Sequence, residues 1–282
     1  MEMSQDQSTL RLGAVSYLNT LPLISGLDRI EGVEVVADVP ARLADRLTSG
    51  DTQLSLCSVI DYQRSPVPLE LVPVGQIGCD GDTRTVAILS RDPLDTVTEI
   101  ACDVESHTSV ALAQVVLAER YGTKVAVTPF DPDQSEVPAT IMVIGDKVAR
   151  FARELDAHQH RLDLGRAWHD LTGLPFVFAS WFRLADPSPE NAVRLDKLAE
   201  LVDHARRRNH DLVPTLARRE AATHGWAVDE AVHYLGTLIR YEFDDRSVAA
   251  IERFFALAAK HGVIDELRPL RIAKLPSAVT TA

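Results

Sequence analysis

The sequence predicts an α/β clamshell: two lobes with a cleft between them, two crossover strands that join the lobes, and a helical C-terminal third. Short apolar runs alternate with helical periodicity up to residue 90, and the same alternation begins again at Arg91. Past Asp186 only helical periodicity continues. The first lobe is therefore expected to comprise residues 9–90 plus 182–275, and the second lobe residues 91–181, inserted into the first.

The first β/α unit is the stretch LRLGAVSYLNTLPL at residues 10–23. Its apolar half predicts a short buried strand, and Asn19 or Thr20 is suited to cap the helix that follows. Ser16, Tyr17 and Asn19 then lie where a strand ends and a helix begins, which in an open α/β sheet is the ligand-binding edge. An ordinary turn, in which the asparagine caps and the tyrosine packs, explains the same pattern.

Further strands and a helix complete the first lobe up to residue 90. The strands are expected at 33–38, 54–58, 69–75 and 85–90, and the helix at 40–47. Ser58 closes the strand at 54–58 and is followed by a helical turn, so it marks a second strand-to-helix edge. Two such edges in one sheet predict a shared pocket.

The second lobe repeats this organisation. Strands are expected at 100–103, 124–128 and 139–144, and an alanine-rich and leucine-rich helix at 109–121. The aromatic run Pro175–Trp181 is expected to pair with 85–90 and to give two parallel crossings between the lobes. The helices of the C-terminal third are expected at 189–209, 212–224, 228–239 and 246–261.

Composition narrows the classes of function. The chain of 282 residues carries 41 acidic against 29 Lys and Arg residues, a net charge of -12, so a nucleic-acid partner is not expected, whereas a small anion remains compatible. The polar N-terminus and the lack of a long apolar run predict a cytoplasmic protein without a membrane partner.

Cys57, Cys79 and Cys102 stand singly in apolar surroundings, which favours packed, reduced thiols over a metal site. No metal or organic cofactor is implied.

Polar residues at the strand ends are the candidate lining of the cleft. They are Ser16, Tyr17, Asn19 and Ser58 from the first lobe, Thr83, Arg84 and Thr85 at the crossover, and Ser106, His107, Thr108, Ser109, Gly145 and Asp146 from the second lobe. The hydroxyls at 106–109 and the N–H groups of the following helix form a site for one carboxylate, or a plain N-cap.

Two charged members of this set have similar alternatives. Arg84 is suited to a second anion, or is an exposed arginine on a strand edge. Asp146 is suited to orient a hydroxyl, or caps the next helix. The residues by themselves predict a clamshell that binds a small anion and leave catalysis open.

Several motifs of the chain resemble one family. They are VSYLNTLPL at 15–23, the strand ending in Cys57-Ser58, the Asp80-Gly81 turn, SHTS at 106–109, IGD at 144–146 and TGLPFVFA at 172–179. Together they are similar to the menaquinone-biosynthesis family that includes the chorismate dehydratases of the futalosine route. The resemblance implies a two-domain fold like that of type II periplasmic binding proteins, without a cofactor. The chain departs from the family pattern in having Cys57 for a proline and Thr85 for a serine.

The activity that the resemblance implies is removal of water from chorismate to give 3-[(1-carboxyvinyl)oxy]benzoate. No His, Lys or Glu lies at the catalytic end of the predicted pocket, so Asn19 and Thr85 are expected to position the leaving hydroxyl or the enolpyruvyl carboxylate of the substrate, which then serves as the base. The alternative is a cytoplasmic binding or regulatory module of the same fold, which holds a small carboxylate without turnover.

Overall fold

Two mixed sheets form the framework of the protein. The computed structural model describes residues 9–103, 105–131, 136–145, 147–148, 151 and 158–275. The strands are β1 (Leu10–Ala14), β2 (Val33–Ala37), β3 (Leu54–Ser58), β4 (Leu69–Cys79), β5 (Val86–Ser90), β6 (Glu99–Cys102), β7 (Ala126–Pro129), β8 (Thr140–Ile144), β9 (His160–Asp163), β10 (Phe176–Leu184) and β11 (Ile239–Arg240).

The helices lie between the strands in the first two thirds of the chain and follow one another in the last third. They are α1 (Leu21–Ile24), α2 (Pro40–Thr48), α3 (Asp61–Arg64), α4 (His107–Tyr121), α5 (Leu164–Thr172), α6 (Pro189–His210), α7 (Val213–Glu220), α8 (Val228–His233) and α9 (Asp245–Lys260). A π-helical turn, Tyr234–Leu238, continues α8. Among the helices within the described residues, none combines the length and the apolar content of a membrane span.

The larger sheet belongs to the first lobe and has the strand order β11-β4-β10-β3-β1-β2. β1 pairs in parallel with β2 and β3, as β/α units require. β10 lies between β3 and β4 and is antiparallel to both, with Ala179 opposite Ser58. The ends of β1 and β3 and the middle of β10 therefore meet at one edge of the cleft.

The smaller sheet has the order β7-β6-β8-β5-β9 and forms the second lobe. It contains β5, which was expected in the first lobe, whereas most of β10, expected in the second lobe, lies in the larger sheet. β6 pairs in parallel with β7 and β8, whereas β5 is antiparallel to β8 and β9. Strand β9 was not predicted, because its sequence HRLD is polar and partly exposed and lacks the apolar alternation of a strand.

The predicted pairing of 175–181 with 85–90 is wrong. β10 pairs with β3 and β4, and β5 pairs with β8 and β9, so the two crossover segments lie in different sheets. The chain passes from the larger to the smaller sheet between Cys79 and Val86 and returns between Asp163 and Phe176. An apolar run predicts that a strand forms but carries no information about its partner, and this accounts for the error.

Aromatic rings from both parts of the chain pack beside these crossings. Phe176 of β10 lies edge-on to Trp168 of α5 and to Phe254 of α9, with ring centroids 5.2 Å and 5.0 Å apart. All three side chains are buried. Edge-to-face pairs at such distances stabilise a core beyond the burial of their surface. The C-terminal helix α9 thus fixes the strand that returns to the first lobe.

Candidate functional site

A cavity between the two lobes collects most of the predicted site residues. It holds about 640 Å³ of empty space, part of it open to solvent. The predicted residues on its wall are Tyr17, Asn19, Ser58, Thr83, Thr85, Ser106, Ser109 and Gly145. Apolar side chains complete the wall, among them Leu56, Ile77 and Phe178. An apolar wall with a few convergent polar groups is typical of a small-molecule site.

Other predicted residues lie away from this cavity or outside the described part of the chain. Ser16 is exposed and is not part of the wall. Arg84 is exposed as well, with a left-handed φ of 60°, and its backbone N–H donates to Asp163. Asp146 lies outside the described residues. His107 and Thr108 contact the first lobe behind the cavity.

The side chains at the start of α4 face two sides: one pair lines the cavity, and the other pair contacts the first lobe. Ser106 Oγ accepts a hydrogen bond from the backbone N–H of Ser109 at 3.3 Å, and the two hydroxyls lie 3.0 Å apart. Residues three apart share one face of a helix, so both serines line the cavity. The intervening residues of the motif consequently point elsewhere. The segment is both an N-cap and part of the cavity wall, and its dipole favours an anion there.

The other face of the same helix start joins the lobes. Thr108 Oγ1 accepts a hydrogen bond from the backbone N–H of Ile60 at 3.2 Å, and His107 Nδ1 lies 2.7 Å from Asp61 Oδ1. The hydrogen bond to Asp61 raises the pKa of His107, against the opposing effect of burial. The imidazolium form therefore strengthens this contact between the lobes.

This contact should make stability depend on pH. Because the pKa of His107 is higher in the folded than in the unfolded state, its contribution is complete below the unfolded value of about 6.5 and is lost as the pH rises through the folded value. Wild type should therefore have a higher free energy of unfolding than His107→Gln at about pH 5.5. This advantage of wild type should be about 0.5 kcal/mol smaller at about pH 8.5. Urea denaturation at both pH values measures this. A difference that grows with pH would contradict the assignment.

The loop that carries Thr85 is clamped by one carboxylate. Asp163, the N-cap of α5, accepts hydrogen bonds from the backbone N–H of Thr83 at 3.0 Å and of Arg84 at 2.7 Å, and from Thr83 Oγ1 at 3.1 Å. Thr83 Oγ1 in turn accepts from the backbone N–H of Thr85 at 3.1 Å. Thr83 therefore holds the backbone of residue 85, and Thr85 is left to present its own hydroxyl to the cavity.

Tyr234 links the two residues predicted to be catalytic. Asn19 Nδ2 donates a hydrogen bond to Tyr234 Oη at 3.1 Å, and Thr85 Oγ1 lies 3.0 Å from the same phenol oxygen. Asn19 therefore does not act as the predicted helix cap: no side-chain hydrogen bond caps α1. Sequence reasoning missed Tyr234, because the helical periodicity at 228–239 makes this tyrosine resemble a core residue.

Ion pairs surround the mouth of the cavity. Tyr17 Oη donates to Glu105 Oε2 at 2.5 Å across the cleft, and Lys147 Nζ lies 3.0 Å from that oxygen and 2.8 Å from Asp103. Burial would raise the pKa of Glu105, but the hydrogen bonds from Tyr17 and Lys147 outweigh it and lower the pKa. Sequence reasoning missed Glu105 and Lys147 as neighbours of the site, since no spacing relates them to Tyr17.

The charged side chains near the cavity, Glu105 and Lys147, line an adjoining pocket that shares Tyr17 and Asn19 with it. Of the residues that the structure describes, those that line this cavity include no Asp, Glu, His, Lys or Arg. A carboxylate bound there would meet hydroxyls and the start of α4. The three cysteines are free and buried, and burial raises the pKa of the Cys102 thiol to about 12. Within the described ranges no three His, Cys, Asp or Glu residues are grouped to hold a metal ion.

Comparison with solved structures shows the fold. A protein of Archaeoglobus fulgidus, AF1704, is 14% identical with a TM-score of 0.70, covering 93% of this chain and all of that chain. The Candida albicans CA3427 product, described as having the generic periplasmic binding protein fold, is 11% identical with a TM-score of 0.66, covering 96% of this chain and 99% of its own. The Escherichia coli aliphatic sulphonate binding protein SsuA is 13% identical with a TM-score of 0.62, covering 92% of this chain and 94% of its own.

Comparison of sequences is more specific. The chorismate dehydratase of Thermus thermophilus is 29% identical, over 86% of this chain and 93% of that protein. A family model described as menaquinone biosynthesis matches residues 10–260. With its two-lobed α/β fold of the periplasmic-binding-protein type, the chain belongs to the menaquinone biosynthesis family.

Proposed function

We propose that this protein is a chorismate dehydratase of the futalosine route, a carbon–oxygen lyase that works in the cytoplasm. It would convert chorismate to 3-[(1-carboxyvinyl)oxy]benzoate and water. The observation that carries the proposal is the convergence of Asn19 and Thr85 on one phenol in an interlobe cavity whose described wall has no charged side chain. The identity to the Thermus thermophilus enzyme of that name supports the choice of substrate.

The reaction does not require a strongly acidic or basic side chain of the protein. A base takes the proton from the ether-bearing ring carbon, and the electron pair of that C–H bond forms the new ring double bond while the C–O bond on the neighbouring carbon breaks. The base then gives the same proton to the departing hydroxyl, which leaves as water. Formation of the aromatic ring supplies the driving force. Before the hydroxyl departs, charge spreads through the diene to the ring carboxylate, so donors placed at that carboxylate stabilise the transition state most.

The wall of the cavity offers groups for each of these tasks. The start of α4, with Ser106 and Ser109, would hold the ring carboxylate where charge develops. Asn19 and Thr85 would position the leaving hydroxyl and the enolpyruvyl carboxylate. That carboxylate would act as the base, because neither an amide nor a hydroxyl is basic enough and the described wall supplies no stronger group. Tyr17 and Glu105 would close the mouth over the bound substrate.

The test is incubation of the purified protein with chorismate, followed by the loss of diene absorbance and the mass of the product. The expected result is loss of one water from chorismate with formation of the aromatic enolpyruvyl ether. Tight binding of chorismate without any change in its mass would instead indicate a binding module. Absence of binding would mean that chorismate is not the ligand.

A further inference from the structure

We propose that Tyr234, whose phenol oxygen accepts a hydrogen bond from the Asn19 amide, is a positioning residue for water loss, which acts by fixing the orientation of the Thr85 hydroxyl. This inference rests on the proposed function, since it concerns the same reaction. Tyr234 belongs to the helical C-terminal third of the chain, which would then contribute to the reaction. Asn19 and Thr85 belong to the first lobe and the crossover loop.

Two side chains of the site are hydrogen-bonded to the phenol oxygen of Tyr234. An amide nitrogen only donates, so Asn19 Nδ2 gives its proton to Tyr234 Oη at 3.1 Å. Thr20 Oγ1 lies 3.4 Å from Asn19 Oδ1, which is consistent with this orientation of the amide. The Thr85 hydroxyl lies 3.0 Å from the phenol oxygen, and either oxygen can be the donor of this hydrogen bond.

The consequence concerns the proton of Thr85. When the phenol donates to Thr85 Oγ1, the threonine proton goes to another acceptor, either the Thr83 carbonyl at 3.5 Å or a substrate group in the cavity, where the geometry is better. A hydroxyl that must leave as water is stabilised by a donor of this kind in the transition state. The Thr85 hydroxyl already makes a long hydrogen bond, 3.5 Å, to the Thr83 carbonyl, and without the phenol this contact has no competitor among the described residues, so the donor is then misdirected.

Packing holds the phenol in place. Tyr234 is buried, with 2% of its surface exposed. Its ring stacks on that of Trp226, with the ring centroids 4.8 Å apart and an angle of 14° between the ring planes. Tyr234 also begins the π-helical turn that continues α8. Insertions of this type are frequent at functional sites because they redirect one side chain. The ring would therefore stay in place after loss of its hydroxyl, and Tyr234→Phe removes little more than the hydrogen bonds.

The chain offers a matched control. Tyr241 is also buried, in the same C-terminal region, but its Oη has no hydrogen-bond partner among the described residues and it is not part of the cavity wall. Tyr241→Phe therefore removes a buried hydroxyl of the same region without removing a hydrogen bond of the site. Comparison of the two phenylalanine variants separates the function of a phenol in the site from the loss of a buried phenol in general.

The experiment measures kcat and KM for chorismate in wild type, Tyr234→Phe, Tyr241→Phe, Thr85→Val and the double variant Tyr234→Phe/Thr85→Val. Tyr234→Phe should lower kcat by about tenfold or more and change KM by less than about threefold, as expected for an interaction that acts in the transition state. Tyr241→Phe should match wild type. The double variant should be no slower than Thr85→Val alone by more than about twofold, because Tyr234 acts through Thr85.

Three results would overturn the inference. These are equal kcat values for the two phenylalanine variants, a rise in KM at unchanged kcat for Tyr234→Phe, and fully multiplicative losses in the double variant. If wild type itself leaves chorismate unchanged, the proposed function fails and this inference fails with it. An active wild type with an unaffected Tyr234→Phe variant refutes the inference alone.

Discussion

Replacing Thr85 by valine should lower kcat for water loss from chorismate by about 100-fold, the size of effect seen when one donor to developing charge is removed. Valine has the shape of threonine without the hydroxyl, so it keeps the packing and removes the donor aimed at the cavity. The backbone N–H of residue 85 still donates to Thr83 Oγ1, so the loop is expected to stay clamped to Asp163. Steady-state kinetics measure the fall in kcat, and a binding titration with chorismate measures the affinity, which should change by less than about threefold.

The matched control is Thr85→Ser, which keeps the hydroxyl and removes only the methyl group. Because the resembling family usually has serine here, this variant should retain kcat within about threefold. If Thr85→Val retains the activity of wild type, the hydroxyl has no part in the reaction. If both variants lose activity to the same extent, the methyl group matters, and the departure of this chain from the family pattern is a functional one.

Replacing Gly165 by alanine should lower the free energy of unfolding by about 3 kcal/mol, at the upper end of what overpacking costs. A Cβ atom at this position would lie 2.4 Å from Thr83 Cγ2, 2.5 Å from the Gly81 carbonyl oxygen and 2.6 Å from Cys79 Sγ. The carbonyl belongs to the backbone of the crossover loop and cannot turn aside. Relief therefore requires α5 to move away from this loop, which carries Thr85. Thermal unfolding should show a fall in Tm of roughly 10 °C.

Gly236→Ala is the matched control for this variant. Its new Cβ would meet only Val213 Cγ1, at 3.6 Å, which is an ordinary contact. Alanine at such a position also lowers the entropy of the unfolded chain, so stability should stay within about 1 kcal/mol of wild type. A Gly165→Ala protein as stable as Gly236→Ala would show that α5 and the crossover loop are not closely packed in solution.

The order of strands and helices in the first two thirds of the chain could be predicted from its apolar runs. The strand at 54–58 has its predicted limits, and the helix predicted at 109–121 ends at Tyr121 as predicted but begins two residues earlier, at His107. The partners of β5 and β10 could not be predicted, because both are buried, and neither apolar content nor length distinguishes one neighbouring strand from another. β4 is longer than predicted, since its second half contains glycines, which weaken the strand signal.

The same limit applies to the site. Strand-to-helix edges predicted that Asn19 and Ser58 share one cavity, because the edge of a sheet is set by topology, and Thr85 was predicted there from its place at the crossover. The motif at 106–109 was predicted as one unit, whereas helical geometry divides it between the cavity and the contact of His107 with Asp61. Tyr234 is 215 residues away from Asn19 in the sequence, and no local pattern relates the two.

The central place of β10 also decides the order in which the chain can fold during synthesis. All strands of the smaller sheet lie between Val86 and Asp163, so that sheet can form before the return segment has been made. β3 and β4 are synthesised earlier, but each lacks its shared neighbour until Phe176–Leu184 emerges. The nascent chain therefore carries a folded insert beside two unpaired strand edges, the surfaces most prone to aggregation. The lobe that begins the sequence is the last to close.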